Sequence, residues 1–410
     1  MNKIIKVMQP LPATVAGCTD ILEFSALPPL ALYIHLPWCV KKCPYCDFNS
    51  HGIKQDASNE GLLESAQQGY VDALLKDLES ALPLIWGRLV HSIFIGGGTP
   101  SLFSGEAIDR LLAGVRARVR LDPDAEITLE ANPGTVEAKR FEAYARAGVN
   151  RISLGVQSFN EEKLKALGRI HGRQEAIDAA QIARSTVRNF NIDLMYALPE
   201  QNVEEALADV TQALALQPTH LSAYQLTLEP NTLFHRYPPQ LPDDDTAIDI
   251  EQAVQAALAS AGFLQYEVSA FALGEKHRCW HNLNYWQFGD YLGIGAGAHG
   301  KLTFHDKVLR QVRFKQPAAY LQAIAAGNPV QEEHRVSAEQ LPFEFMLNAL
   351  RLNEGFDLAL FAERTSLPLT VLLPKLQRAE QRGLIKRDHQ RLVPTPLGRR
   401  FLNDLQQIFL

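Results

Sequence analysis

The sequence has few cysteines, no long apolar run and no excess of positive charge. Five of the 410 residues are cysteine, and their odd number and uneven spacing speak against a disulfide framework and for a reduced cytoplasm. No apolar stretch approaches the roughly 20 residues that a membrane helix requires. The formal net charge of −6 argues against a dominant polyanion-binding face, so we do not expect nucleic acid as a partner.

Residues 1–28 form an N-terminal extension that superficially matches an export signal. Lys3 and Lys6 precede an apolar segment that ends in VAGC at 15–18, as at a bacterial lipoprotein cleavage site. The apolar segment is interrupted by Gln9 and two prolines, and export would carry the other cysteines into an oxidising compartment. We therefore expect a cytoplasmic protein.

From residue 31 onward, short β-branched or apolar runs alternate with longer segments of helical periodicity. The predicted strands are 31–36, 91–96, 126–131, 151–156, 189–195 and 220–226. The predicted helices between them include 70–82, 107–119 and 203–216. Strands separated by helices imply βα units and a parallel sheet. We therefore predict an α/β fold with a partial (β/α)6 barrel, closed or nearly closed.

The alternation of strands and helices stops near residue 240, which divides the chain. We predict a barrel domain at 29–240, a connecting region at 241–334 and a smaller C-terminal domain at 335–410. The connecting region contains a helix and two irregular segments, CWHNLNYW at 279–286 and GIGAGAHG at 293–300. The C-terminal domain combines helices with a short polar hairpin, typical of an α+β, winged-helix-like domain. The acidic chain favours a packing module over a DNA-binding one.

Polar residues recur where the predicted strands end. The active-site groups of such barrels lie at the carboxyl ends of the strands. Three cysteines follow the first strand, and a GGGTP sequence follows the second. The other polar residues at these ends are Glu130, Gln157, Asp193, Tyr224 and Gln225. We therefore predict a shared pocket at this end of the sheet.

The three cysteines are spaced as Cys39-x3-Cys43-x2-Cys46. They could bind zinc with His35 or His51 as the fourth ligand, or form part of an iron-sulfur cluster. Structural zinc sites usually have four ligands in two separated pairs rather than one tight triplet. A [4Fe-4S] cluster held by three cysteines leaves one iron open to a small molecule, which makes it a functional site.

The cysteine triplet and its place after a first strand resemble the radical S-adenosylmethionine (SAM) superfamily, and the resemblance extends from residue 31 to about residue 230. It implies a [4Fe-4S] cluster whose open iron binds the amino and carboxylate groups of SAM. It also implies that one electron from the reduced cluster cleaves SAM to methionine and a 5′-deoxyadenosyl radical. A flavodoxin or an NADH-linked reductase is the expected electron donor.

The same resemblance gives the strand ends a role in binding SAM. A glycine-rich strand end lets backbone carbonyls approach an ammonium group, and a carboxylate can bind two ribose hydroxyls, so we expect Glu130 to bind the ribose. The other expected contacts around the methionine end, the sugar and the cluster are Gly97, Gly98, Thr99, Gln157, Arg169, Asp193, Tyr33 and Tyr45. Taken singly, each has an ordinary structural explanation, such as a turn glycine or a surface ion pair.

Further segments narrow the resemblance to the oxygen-independent coproporphyrinogen III oxidase group, and within it to the HemW-type branch. They are YIHLPWCVKKCPYCDFNSH, IFIGGGTPSL, LEANPGT, RISLGVQSF, LGRIHG, YQLTLEPNT and HNLNYW, and the resemblance covers nearly the whole chain after residue 28. The oxidases of the group carry a further cysteine two residues after the triplet, where this chain has Phe48. That departure favours the branch understood as heme chaperones over oxidative decarboxylation of coproporphyrinogen III.

The resemblance also implies partners and a heme site. A heme chaperone delivers heme to apoproteins such as respiratory enzymes, so peripheral contact with a membrane is compatible with it. His281 is the expected axial ligand, because imidazole commonly binds heme iron and Trp280, Tyr285 and Trp286 could stack on the macrocycle. Cys279 is a second candidate, and a buried structural histidine is the alternative. A radical SAM enzyme acting on RNA or a peptide is a third interpretation, to which the acidic net charge gives little support.

Overall fold

The computed structural model describes residues 22–53, 60–135 and 138–410. Most of the expected N-terminal extension, including the VAGC sequence at 15–18, lies outside the described residues. Within the described ranges, a large mixed sheet forms the centre of the fold and helices cover it.

Six parallel strands form the barrel wall and lie side by side in chain order. They are β1 (Leu30–Leu36), β2 (Leu89–Gly97), β3 (Arg120–Ala131), β4 (Arg151–Gln157), β5 (Asn189–Tyr196) and β6 (His220–Gln225). Side chains alternate along β1, so that Leu32 and Ile34 pack under the helices while Tyr33 and His35 face the barrel interior. The predicted partial (β/α)6 barrel is confirmed.

Helices connect the strands and cover the outer face of the sheet. They are Glu60–Ile85, Gly105–Arg116, Ala138–Ala147, Glu161–Ala166, Arg173–Thr186 and Val203–Ala215. The second of these begins where the Ser104 hydroxyl accepts a hydrogen bond from the Ala107 N–H, and it buries Ile108 and Leu112 on one face. All three helices predicted between the strands are present.

The connecting region 241–334, which is described throughout, is more regular than the sequence indicated. It adds six strands to the sheet: Leu264–Gln265, Ala270–Ala272, Asp290–Ile294, His299–Thr303, Val308–Arg313 and Val330–Val336. Asp290–Ile294 pairs in parallel with β1, and the next three strands continue antiparallel. The glycines of the GIGAGAHG sequence made these strands difficult to predict, because glycine is uncommon in strands. These glycines are needed for the pairing, since a Cβ at Gly293 would stand 2.0 Å from the His299 carbonyl oxygen.

The HNLNYW sequence is helical rather than irregular. Helix Trp280–Trp286 packs against β1 and the amino-terminal half of β2, opposite the end of the barrel that carries the cysteines. We call the end that this helix closes the floor of the barrel and the cysteine end its mouth. The other helices between β6 and residue 334 are Leu233–Arg236, Asp244–Ser260 and Pro317–Ala325.

The C-terminal residues form a second hydrophobic core. Their helices are Leu341–Ala349, Leu358–Thr365, Leu373–Gln381, Pro396–Arg400 and Leu402–Gln407, and a small antiparallel sheet joins Phe356–Asp357, Arg391–Pro394 and Ile385–Arg387. The ring of Phe345 lies at the centre and contacts Phe288, Phe356 and Phe361. Because Phe288 follows the floor helix, this core joins the C-terminal helices to the barrel. No helix of the described residues is long and apolar enough to cross a bilayer.

Candidate functional site

The three clustered cysteines lie on one loop at the mouth of the barrel. Cys39 ends a short strand, Trp38–Cys39, that pairs with His51–Gly52, so the intervening residues form a loop. Within the loop, the Cys46 N–H donates to the Cys43 carbonyl oxygen at 3.2 Å. Each of the three side chains is partly exposed and carries a free thiol.

Asn49 anchors this cysteine loop to the glycine-rich segment 293–300. Its side-chain amide donates to the carbonyl oxygens of Ala296 at 2.9 Å and Lys315 at 2.8 Å. Gly297 lies against it with φ of +78°, and a Cβ there would stand 2.2 Å from the Asn49 amide nitrogen. Both the backbone angle and the close approach require glycine at 297, so the GIGAGAHG sequence supports the cysteine loop.

Tyr45 anchors the loop on its other side. The Tyr45 ring packs against a buried cluster that includes Leu167, Met195 and Phe234. The Phe234 N–H also donates to the Pro44 carbonyl oxygen at 3.0 Å. The loop is therefore held from two directions, by an amide on one side and by an aromatic ring on the other.

His35 connects the loop to the barrel interior. Its Nε2 donates to the Asn49 carbonyl oxygen at 2.9 Å, so its Nδ1 accepts from the Tyr33 hydroxyl at 3.0 Å. Burial lowers the pKa of His35 to about 4, which keeps the ring neutral. The described residues contain no group of three His, Cys, Asp or Glu side chains arranged to hold a single metal ion. A [4Fe-4S] cluster takes each thiolate on a different iron and does not require such a group.

The glycines at the end of β2 meet both the loop and Glu130. The Gly97 N–H donates to Glu130 Oε2 at 3.1 Å, and the Thr99 N–H donates to the Trp38 carbonyl oxygen at 2.7 Å. A Cβ at Gly98 would stand 2.5 Å from that same carbonyl oxygen. The GGGT sequence thus brings a strand end, a carboxylate and the strand that ends at the first cysteine into contact.

Two carboxylates face the barrel interior near the mouth. Asp193 accepts hydrogen bonds from the Asn191 amide at 2.6 Å and the Ser153 hydroxyl at 3.2 Å. Burial, together with the charge of Asp193, raises the pKa of Glu130 to about 7. Burial also raises the pKa of Asp193. The interior therefore disfavours two negative charges here unless a ligand supplies hydroxyl donors or positive charge.

Gln157 and Arg169 complete the mouth. Gln157 has φ of +72°, an uncommon angle for a residue with a side chain, and its buried Oε1 has no hydrogen-bond partner among the described residues. Arg169 donates through Nη2 to the Gly155 carbonyl oxygen at 2.7 Å and through Nη1 to Cys43 Sγ at 3.5 Å. Its buried Nε also lacks a partner within the described chain. Strained backbone and unsatisfied polar atoms at one place are typical of a binding site.

Nearly all of the residues expected to contact SAM thus lie together around the cysteine loop. Tyr45 is part of the loop itself. Tyr33 lies deeper in the barrel than expected: its hydroxyl is linked to the loop through His35, and its ring contacts Phe94 and His281.

His281 lies at the floor rather than in an open aromatic site. Its side chain is 1% exposed, and its ring nitrogens are hydrogen-bonded to the Ser92 hydroxyl at 3.0 Å and the Tyr285 hydroxyl at 3.2 Å. The ring also packs 5.0 Å from that of Phe94. Burial lowers the pKa of His281 to about 3. A heme iron could reach this imidazole only after one of its two hydrogen bonds breaks, so the geometry favours the structural alternative.

Glu126 holds the start of the floor helix. Its carboxylate accepts from the Trp280 N–H at 3.2 Å, the His281 N–H at 3.1 Å and the Cys279 thiol at 3.5 Å. Burial raises the pKa of Cys279 to about 12, which makes it an unreactive thiol and a poor iron ligand. Trp280 is exposed whereas Trp286 lies under Arg351, so the aromatic residues of this helix do not share one face.

The sequence did not predict three positioning residues: Asn49 and His35 at the mouth, and Glu126 at the floor. No motif around Asn49 indicates that its side chain is hydrogen-bonded to backbone carbonyls some 250 residues later in the chain. Glu126 lies in a predicted strand and gives no sign of capping a helix that itself was not predicted. The one usable signal was the pair of glycine-rich segments, since Gly97 lies against His35 and Gly297 lies against Asn49.

Two family models match the chain. The model of the radical SAM superfamily matches residues 33–212, and that of the HemN C-terminal domain matches residues 336–401. Among solved structures, coproporphyrinogen III oxidase (HemN) from Escherichia coli, described as a radical SAM enzyme, is similar over 93% of this chain and 90% of that one. The TM-score is 0.78 at 24% sequence identity, which shows a shared fold.

Curated relatives match from end to end. The protein named heme chaperone HemW from Escherichia coli K12 is 52% identical over 386 residues, covering 94% of this chain and 99% of that protein. Heme chaperone HemW from Bacillus subtilis is 32% identical and covers 92% and 98%. Together with the cysteine loop and the barrel that carries it, these matches show that the chain belongs to the HemW branch of the radical SAM superfamily.

Proposed function

We propose that this protein is a heme chaperone, which binds heme as cargo and passes it to apoproteins. Relatives that carry this name match the chain over nearly its whole length. The single observation that carries the proposal is Phe48, two residues after Cys46, at the position where the resemblance to the coproporphyrinogen III oxidase group implies a further cysteine in the decarboxylating members. Its ring is 62% exposed beside the cysteine loop and offers no thiol.

Membership of the radical SAM superfamily implies a [4Fe-4S] cluster and SAM. The residues at the mouth fit both groups, because three thiols lie on one anchored loop and unsatisfied polar atoms lie beside them. Cys39, Cys43 and Cys46 would hold the cluster, which supplies one-electron chemistry when bound. Asn49, Tyr45 and His35 would keep the loop in place around it.

The polar residues around the loop would hold SAM. Gly97, Gly98 and Thr99 would contact the methionine end through their backbone, and Glu130 would accept from the ribose hydroxyls. Gln157, Arg169 and Asp193 would bind the carboxylate and the sugar. Arg169 already contacts Cys43, so it would join the SAM site to the cluster loop.

In this proposal the heme acceptors are apoproteins such as respiratory enzymes, and the protein works in the cytoplasm. A flavodoxin or an NADH-linked reductase would reduce the cluster. The floor arrangement gives His281 a structural role, so the proposal does not depend on that residue as the heme ligand.

Anaerobic reconstitution followed by two parallel assays tests the proposal. We expect the reconstituted protein to bind heme with a Soret band and to transfer it to an apoprotein. We also expect no protoporphyrinogen from coproporphyrinogen III in the presence of reductant and SAM. Turnover of coproporphyrinogen that disappears in Cys39→Ala would contradict the chaperone assignment and establish the decarboxylase instead.

A paired substitution isolates the contribution of Phe48. Phe48→Cys restores the thiol found in the decarboxylating relatives, and Phe48→Ala removes the ring without adding one. Both should retain heme binding and transfer. Decarboxylation that appears in Phe48→Cys alone would show that the missing thiol separates the two functions.

A further inference from the structure

The overall negative charge conceals a strongly basic segment near the C-terminus. Residues 375–400 contain eight Lys or Arg and only two acidic residues, in a chain whose formal net charge is −6. The segment comprises the end of helix Leu373–Gln381, the hairpin and helix Pro396–Arg400. Neither the cluster site nor the proposed SAM site uses any of these residues.

The three elements meet at the turn Gly383–Leu384. The Thr395 hydroxyl donates to the Gly383 carbonyl oxygen at 2.7 Å, and the Thr395 N–H donates to the Leu384 carbonyl oxygen at 2.9 Å. A Cβ at Gly398 would stand 1.9 Å from the Leu384 oxygen, so the last helix lies directly against the turn. The basic side chains of this segment are therefore brought to one corner of the molecule.

Five exposed cations of this corner form no ion pair among the described residues. They are Arg378, Arg382, Lys386, Arg399 and Arg400, which we call the basic corner. The other three basic side chains of the segment are engaged: Lys375 with the last two carbonyl oxygens of the chain, Arg387 with Glu380, and Arg391 with Asp357. Two acidic side chains also lie near the basic corner. Asp404 is exposed one helical turn after Arg400. Burial raises the pKa of Glu251, and the positive charge of Arg400 lies close enough to oppose that rise.

Two large apolar side chains are exposed within the same corner. Leu397 is 46% exposed and Phe401 is 45% exposed, and they flank Arg399 and Arg400 in the chain. The sequence LGRRF therefore presents apolar and cationic groups within about one helical turn. Single exposed apolar residues are common, but this pair stands among unpaired cations.

We propose that the basic corner docks on the surface of a membrane that contains anionic phospholipid. Anionic headgroups attract unpaired Lys and Arg, and the interfacial region accepts leucine and phenylalanine side chains. Nucleic acid would match the charge but would leave Leu397 and Phe401 without a role. The attachment is peripheral, and it brings the chain to the surface at which membrane-bound apoproteins lie.

Flotation of the full, cluster-loaded chain with vesicles tests this surface. The probes are vesicles of phosphatidylcholine alone and of phosphatidylcholine with phosphatidylglycerol, at low and at high salt. We expect binding to the anionic vesicles only, with a loss at high salt. Arg399→Gln/Arg400→Gln should weaken that binding about twenty-five-fold, since each basic residue near such a surface contributes roughly a factor of five.

Two further variants identify which side chains cause any loss of vesicle binding. Leu397→Ser/Phe401→Ser should weaken vesicle binding several-fold while leaving the charge intact. The matched control, Lys165→Gln/Arg184→Gln, removes two exposed cations from the barrel helices and should bind vesicles as the wild type does. Iron content and thermal unfolding verify that each variant is folded.

The proposal is overturned by equal binding to neutral and anionic vesicles, or by unchanged binding of the Arg399→Gln/Arg400→Gln variant. Retention of a duplex DNA that only the arginine variant loses, without vesicle binding, would assign the corner to nucleic acid. The assay contains no heme, so its outcome is independent of whether the protein is a heme chaperone.

Discussion

The mouth and the floor of the barrel are built from the same six strands but differ in how their polar groups are satisfied. At the floor, His281 and His220 each have both ring nitrogens hydrogen-bonded to side chains. At the mouth, Gln157 and Arg169 each leave a buried polar atom without a partner among the described residues. The floor has exceptions, because Arg151 Nε, Trp286 Nε1 and Arg351 Nε also lack a hydrogen bond among the described residues, although a Glu126 oxygen lies 4.0 Å from Arg151 Nε.

This difference separates polar residues that hold the fold from those that are left for a ligand. Buried polar groups are almost always paired in folded proteins, so unpaired ones mark either an absent ligand or water. The floor histidines are paired within the chain and need no ligand to explain them. The mouth residues surround a loop of three thiols, where a bound molecule would supply the missing partners.

The largest effect expected from this comparison is loss of the cluster on substitution of a mouth cysteine. Cys39→Ala, Cys43→Ala or Cys46→Ala should each abolish the cluster absorbance of the reconstituted protein and its uptake of about four irons. Cys279→Ala is the matched control, because that thiol lies at the floor, and it should retain the cluster. Stoichiometric zinc without iron uptake in anaerobically purified wild type would refute the assignment.

The next largest effect is a loss of folding stability on substitution of His281 at the floor. His281→Ala removes a ring that is buried against Phe94 and hydrogen-bonded to Ser92 and Tyr285. We expect the free energy of unfolding to fall by about 3 kcal/mol, measured by denaturant titration, from the cavity and the lost hydrogen bonds. The iron content should remain unchanged.

The heme titration of the same variant decides between the two roles of His281. The structure leads us to expect a Soret band in His281→Ala close to that of wild type. Its loss in a variant that is still folded and loaded with iron would show that the floor opens to admit heme, and would restore the ligand assignment.

A smaller effect, on SAM affinity, is expected from substitution of Glu130 at the mouth. Losing charge-assisted hydrogen bonds to ribose typically costs about 1.5 to 3 kcal/mol, so Glu130→Ala should weaken SAM binding roughly ten- to a hundred-fold. The cluster should stay intact. Glu126→Gln, four residues earlier on the same strand, acts at the floor and should leave SAM affinity unchanged, as isothermal titration can measure. Equal losses in both variants would mean that neither residue contacts SAM.

The barrel was predictable because its strands carry β-branched runs and its helices carry a regular apolar period. The mouth was predictable in part, since a cysteine triplet and polar residues at strand ends follow from the sequence once the strands are known. The floor helix was not, because Trp280–Trp286 is only seven residues long and lacks an apolar period.

The interpretation of His281 shows why the rest of the fold and of the candidate site could not be predicted from the sequence. Aromatic neighbours around a histidine are expected both at a heme site and in a packed interior, so the sequence pattern does not distinguish them. The distinction depends on the hydrogen bond between His281 and Ser92, which lies 189 residues earlier in the chain. No sequence pattern indicates that these two residues are partners. The link from Asn49 to Ala296 has the same character, since only the folded chain brings them together.

A last expected effect is a pH dependence that tests whether Glu130 is left for a ligand. Burial, with the charge of Asp193, raises its pKa from 4.5 to about 7 in the folded chain. Because the folded pKa lies above the unfolded value, the contribution of Glu130 to stability is fully present below about pH 4.5 and is lost as the pH rises toward 7. Without cofactors, Glu130→Gln should therefore gain stability relative to wild type over that range, by at most about 1.4 kcal/mol per pH unit.

SAM binding should respond to pH in the opposite direction. An ionised Glu130 accepts hydrogen bonds from ribose more strongly than a protonated one, so wild-type affinity should increase as the pH rises through about 7. The affinity of Glu130→Gln should stay flat over the same range. A structural carboxylate would alter stability with pH but not affinity. Only a residue that is destabilised in the free chain and used by the ligand changes both, so parallel thermal unfolding and SAM titrations distinguish the two cases.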